Sequence, residues 1–140
     1  MLLLAGLCGL RAHEVAKVHR DHLQEDVLVV VGKGGKTRHV PVVHAELLAR
    51  LQQLDGYAFP NPRTGQPLTA GYVTRLMSGA ILGAWTGHKL RTRAGTAAYA
   101  GTRDLMAVMA FLGHKRPETT LRYIKLPDDA VRAAARAAAA

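Results

Sequence analysis

The sequence predicts a mainly helical α+β domain with a small antiparallel sheet or hairpin on one edge. Apolar residues recur at helical spacing through most of the chain, as in Leu47, Leu48, Leu51 and Leu54. A β-branched run, Val27 to Val31, is followed by a glycine turn and a second extended run. A length of 140 residues suits one domain with its own core and is short for two ordinary ones.

The elements follow in order. Leu2 to Leu7 reads as a short buried helix broken around Gly9. A second helix is expected from Arg11 to about Arg20, with Val15 and Val18 inward and Arg11 and Glu14 on one face. Val27 to Val31 has strand length; Gly32-Lys33-Gly34-Gly35 makes the turn, and Thr37 to Val43 returns as its partner. An amphipathic helix from Ala45 to Leu54 stops at Asp55-Gly56, and Phe59 to Pro67 is turn chemistry throughout, hence a surface loop. Thr69 N-caps a helix from Ala70 to about Leu82, and Gly83 to Gly87 is a link. A helix from about His88 to Ala100 closes with Gly101 at its C′ position. Asp104 to Leu112 is helical and ends at Gly113. Pro117 suits the first turn of a helix carrying Tyr123, and Pro127-Asp128-Asp129 opens a final Ala/Arg helix. The chain thus divides into a core, residues 1–126, and a helical tail, residues 127–140.

Lys plus Arg number 19 against 10 Asp plus Glu, giving a formal charge of +9 and a sequence pI near 10.3. That balance favours a polyanionic partner, nucleic acid above all. The lone Cys8 cannot form an internal disulfide and reads as a small core residue of a reducing compartment. Met1 to Leu10 is apolar, but it lacks the basic start and small-residue cleavage site of a signal peptide and is too short to span a bilayer.

Arg11, Lys33, His88, Arg91, His114 and Tyr123 supply cations and imidazoles around one phenol. Breaking a phosphodiester without a metal calls for such a set. A phenol is a weak nucleophile at neutral pH and needs a proton acceptor or a positive surround. The reacting phosphate gathers charge that guanidinium forks match in sign and shape, and the leaving oxygen must receive a proton. Rival chemistries fit less well. Gly35-Lys36-Thr37 looks like the end of a P-loop, but Val30 stands where that loop needs glycine, and a strand rather than a helix follows. No Cys pair or carboxylate–His pattern completes a zinc site among the histidines, and the acids are too scattered for clustered magnesium ligands. No cofactor or metal is expected.

Four segments carry a closer likeness: Gly9-Leu10-Arg11-Ala12-His13-Glu14, Gly32-Lys33-Gly34-Gly35-Lys36, His88-Lys89-Leu90-Arg91, and Leu112-Gly113-His114 with Tyr123 nine residues on. In this order they resemble the catalytic domain of the tyrosine recombinases, the phage integrase and Xer family, from about Leu4 to Lys125. The resemblance implies that fold, shortened on its N-terminal side and without the DNA-binding domain that generally precedes it. It implies site-specific cleavage and rejoining of double-stranded DNA through a 3′-phosphotyrosyl intermediate. Tyr123 is then the nucleophile, Arg11, Arg91 and His114 bind phosphate, and Lys33 is the general acid, with Lys36 the second choice. His88 is the favoured acceptor of the tyrosine proton, though the sequence leaves open which imidazole does what. Glu14 either orients a cation or makes a helix salt bridge.

The resemblance further implies a homo-oligomer on DNA, a tetramer, linked through the C-terminal helix, in the cytoplasm of a bacterial or phage-infected cell. Thr92 and Ala94 depart from residues frequent in the family, histidine and an aromatic. The alternatives are a type IB topoisomerase-like relaxation of DNA, and a DNA-binding remnant without strand exchange.

Overall fold

The computed structural model describes residues 1–81, 83, 85–114, 116–121 and 130–138; for Lys33 and residues 130, 131, 133 and 134 it describes the backbone alone. Its elements are α1 (Leu2–Leu7), α2 (Ala12–Ala16), β1 (Leu23–Gln24), β2 (Val27–Val31), β3 (Thr37–Pro41), α3 (Ala45–Gln52), α4 (Ala70–Ala80), α5 (Gly87–Thr102), α6 (Leu105–Leu112), α7 (Pro117–Leu121) and α8 (Ala130–Ala138). This is the expected mainly helical α+β fold.

The sheet is larger than a hairpin. β1, β2 and β3 form an antiparallel sheet in that order, with Leu23 opposite Leu28 and Leu28 opposite Val40. The extra strand turns back through Glu25, which takes a positive φ of 53°. Leu28, Val30 and Val40 point into the core from one face. Arg38 stands opposite Val30 in the register, on that same face. The alternation of side chains thus aims a cation inward.

The core gathers Leu4, Leu10, Val15, Leu28, Val40 and Met77 among others. α1 packs on α5, α2 on α4, and α6 on both α5 and β3. Cys8 is buried as expected, and burial raises its thiol pKa to about 11, with Arg38 opposing the shift.

Several boundaries differ from the sequence reading. α2 stops at Ala16, and a 3-10 turn at Arg20–His22 follows. β3 ends at Pro41 rather than Val43, although the Val42 N–H still donates to the Asp26 carbonyl at 2.7 Å. α5 runs past Gly101 to Thr102 and is closed by Arg103 at φ 55°, whose N–H donates to Tyr99 at 2.8 Å. Asp104 fixes that point by capping α6, its side chain accepting from Ala107 at 3.0 Å. The expected end of α4 at Leu82, Ala84 of the Gly83–Gly87 link, Tyr123 and the start of the tail lie outside the described residues. Among the described residues, no helix is long and apolar enough to cross a membrane.

Candidate active site

The site is built on a helix start. Arg11 is the N-cap of α2, and Glu14, three residues on, reaches back so that the Arg11 backbone N–H donates to Oε2 at 2.8 Å. That is half of a capping box. Glu14 is 2% exposed, so its charge needs partners. Arg38 supplies a fork, Nη1 to Oε1 at 2.8 Å and Nη2 to Oε2 at 3.0 Å. Arg11 Nη1 adds a bond of 3.2 Å to Oε1, and Arg91 Nη1 stands 3.9 Å from Oε2. Burial alone pushes the Glu14 carboxyl up. The Arg38 hydrogen bonds, the Arg11 backbone N–H and the charges of both arginines outweigh it and hold the pKa at about 2.

Arg91 lies on α5 and is buried. Its Nη1 donates to the Gly9 carbonyl, and its Nη2 donates to the Leu112 carbonyl at 2.6 Å and meets His114 Nε2 at 3.0 Å. His88, in the first turn of the same helix, lines a small cleft with Arg91, as three-residue spacing predicts. Thr86 caps that turn, accepting from Lys89 N–H at 3.2 Å.

His114 is placed by the end of α6. Gly113 has φ 64°; its N–H donates to Ala110 at 3.1 Å and that of His114 to Met109 at 2.9 Å. These two bonds make a Schellman motif. A Cβ at Gly113 would fall 2.9 Å from Arg38 Cδ, so conformation and space both require glycine. The His114 ring reaches Thr120 on α7, Nδ1 to Oγ1 at 2.7 Å. Burial lowers its pKa to about 4, helped by the charges of Arg91, Arg11 and Arg38 and opposed by Glu14.

These residues border two adjoining clefts. The larger, about 850 Å³, is lined by Arg11, Glu14, Gly32, Lys36, Arg38 and His114 among others. The smaller, about 220 Å³, takes in Arg11, His88, Arg91 and His114. The backbone of Lys33 begins the 3-10 turn Lys33–Gly35 between β2 and β3, flanked by Gly32 and Gly34, which line the larger cleft. Arg11, His88, Arg91 and His114 therefore come together, and the Lys33 turn lies beside them. Tyr123 lies outside the described residues, two positions beyond the end of α7.

Sequence reasoning missed Arg38 and Thr120. Arg38 shares parity with Val40 and Val42 in the predicted strand, and that was its signal. Thr120 offered none, because its role depends on where α6 delivers His114. His13 also lines the larger cleft, and its Nε2 is buried with no hydrogen-bond partner among the described residues. Three guanidiniums around one carboxylate leave the region positive, which suits an oxyanion such as phosphate.

The chain is similar to known proteins in sequence and in fold. The sequence model of the phage integrase family matches residues 1–129. Tyrosine recombinase XerC of Caldanaerobacter subterraneus is 29% identical over 91% of this chain and 40% of its own length. XerC of Rhodospirillum centenum is 34% identical over 83% of this chain and 38% of its own. The chain therefore spans about 40% of the length of these curated relatives. The integrase of mycobacterium phage Brujita superposes with a TM-score of 0.69 at 26% identity, covering 94% of this chain and 54% of that one. XerH recombinase, in a pre-cleavage complex with its difH substrate, gives a TM-score of 0.70 at 25% identity, covering 96% of this chain and 44% of that one.

Proposed function

Since the chain belongs to the phage integrase family, we propose that it is the catalytic domain of a site-specific DNA recombinase, cutting and rejoining strands through Tyr123. The observation that carries this reading is the convergence of Arg11, Arg91, His88 and His114 on adjoining clefts beside the Lys33 turn. The relatives' names as recombinases and integrases support it.

On this reading Arg11 and Arg91 hold the non-bridging oxygens of the scissile phosphate. The Tyr123 phenol loses its proton, with His88 the favoured acceptor, and its oxygen bonds to phosphorus. The bond from phosphorus to the 5′ oxygen breaks, and Lys33 protonates that oxygen, with Lys36 in reserve. A 5′ hydroxyl from the partner strand then attacks the phosphotyrosine and frees the enzyme. Bond energy is kept in the covalent link, so the cycle needs neither metal nor nucleotide.

His114 has a conditional part. In the free protein its Nε2 accepts from Arg91. The negative charge of an arriving phosphate favours the imidazolium, which turns that nitrogen into a donor. The protein then works in the cytoplasm of a bacterial or phage-infected cell, as a homo-oligomer on DNA, a tetramer joined through its C-terminal helix.

The test is a nicked suicide duplex, which traps the covalent adduct. The full chain forms the adduct, and Arg11→Ala lowers its rate by about 10²–10³, the scale for one preorganised donor. Binding of the duplex with no adduct would make the chain a DNA-binding remnant. Relaxation of a supercoiled plasmid without a partner site would favour the topoisomerase reading.

A further inference from the structure

Thr120 is 1% exposed on α7, and its hydroxyl lies 2.7 Å from Nδ1 of His114. On the far side of the ring, Nε2 lies 3.0 Å from Arg91 Nη2. An arginine nitrogen only donates, so Nε2 must accept there. A neutral imidazole then carries its proton on Nδ1, directed at Thr120 Oγ1. The opposite tautomer would set two N–H groups against each other at the Arg91 contact. The groups facing the ring come from several elements: Arg91 on α5, Arg11 at the N-cap of α2, Glu14 on α2, and Arg38 on β3.

We propose that Thr120 is a positioning residue: its hydroxyl holds His114 in the Nδ1–H tautomer, so that Nε2, beside Arg91, is the nitrogen that takes a second proton. Arg91 favours the Nδ1–H form from one side. Without an acceptor at Thr120 that N–H is left unpaired, which offsets the preference and lets Nε2–H forms turned away from the Arg91 guanidinium compete. The same two contacts tie Thr120 of α7, three residues before Tyr123 in the chain, to the guanidinium of Arg91. The catalytic consequence rests on the proposed function; the tautomer does not.

Nitrogen-15 labelling of the histidines, read by long-range proton–nitrogen correlation at neutral pH, distinguishes the two tautomers directly. His114→Gln assigns the signal. The full chain shows the Nδ1–H pattern at His114; Thr120→Val shifts it toward Nε2–H, and Thr120→Ser keeps it. In the suicide-duplex assay, Thr120→Val slows adduct formation about tenfold, the scale of one hydrogen bond, with DNA affinity unchanged. Thr120→Ser restores the rate.

An Nε2–H pattern in the unmodified chain overturns the proposal, and that measurement does not depend on whether the valine variant folds. An Nδ1–H pattern that survives in folded Thr120→Val also overturns it. A tautomer that switches as expected in a chain that forms no adduct supports the Thr120 role while contradicting the recombinase reading.

Discussion

Arg38 and Glu14 meet as a two-pronged ion pair at 2.8 and 3.0 Å, joining strand β3 to the start of α2. Arg38 also donates from Nε to the Phe111 carbonyl at 3.0 Å, so one side chain ties sheet, first motif helix and α6 together. With the fork occupying both carboxylate oxygens, Arg11 is held by a single longer side-chain bond of 3.2 Å and remains 37% exposed at its side chain. The buried carboxylate thus organises the arginines without using up the one that faces the cleft.

Removing Arg38 strands that carboxylate. Arg38→Met is expected to cost about 3–5 kcal/mol, as for other buried pairs broken on one side. Urea unfolding measures it. In a Glu14→Gln background the same change costs much less, because no buried charge is left behind.

Two glycines near the C-terminal ends of neighbouring helices behave oppositely. Gly113 sits at φ 64° against Arg38, so Gly113→Ala destabilises by more than about 1 kcal/mol. Gly101 lies inside α5 with open space where an added methyl would stand, and Gly101→Ala stabilises by about 0.5–1 kcal/mol. Had Gly101 been a left-handed cap, the second substitution would be harmful. Denaturation midpoints decide the matter.

How the sequence misled at Gly101, and where it did not, has a physical reason. Glycine is the usual C′ residue, but the end of α5 is set by Asp104 capping α6, which pushes the left-handed residue to Arg103. Arg11, His88, Arg91 and His114 were legible because each sits in a local motif whose spacing survives folding. The role of Glu14 was half legible: its reach back to Arg11 is local, whereas the fork from Arg38 spans 24 positions. β1 was missed because two residues give no periodicity, and its pairing depends on the turn at Glu25.

Acid should destabilise the fold in two stages. The ordinary histidine value of 6.5 applies to the unfolded chain, and His114 is held at about 4 in the fold. Between those values the unfolded chain binds a proton that the folded chain refuses, so stability falls as pH drops through that window. Glu14 acts lower, its contribution present above 4.5 and lost as pH falls toward about 2. Urea titrations against pH should show His114→Gln flattening the upper stage and leaving the lower one.

Binding to DNA should weaken with salt by about 0.9 log units per log of salt for each phosphate neutralised. Arg11→Ala is expected to lower that slope by about 0.9, since Arg11 lines both clefts. Fluorescence anisotropy across a salt series reads both values. An unchanged slope would place Arg11 away from the backbone phosphates.

The most direct measurement is peptide mapping of the covalent adduct formed on a nicked suicide duplex by the full chain and by Tyr123→Phe. The account predicts an adduct on the Tyr123 peptide, linked through a 3′ phosphate, and none with the phenylalanine variant. Equal adduct from both proteins, or linkage at Tyr57, Tyr72 or Tyr99, would contradict it.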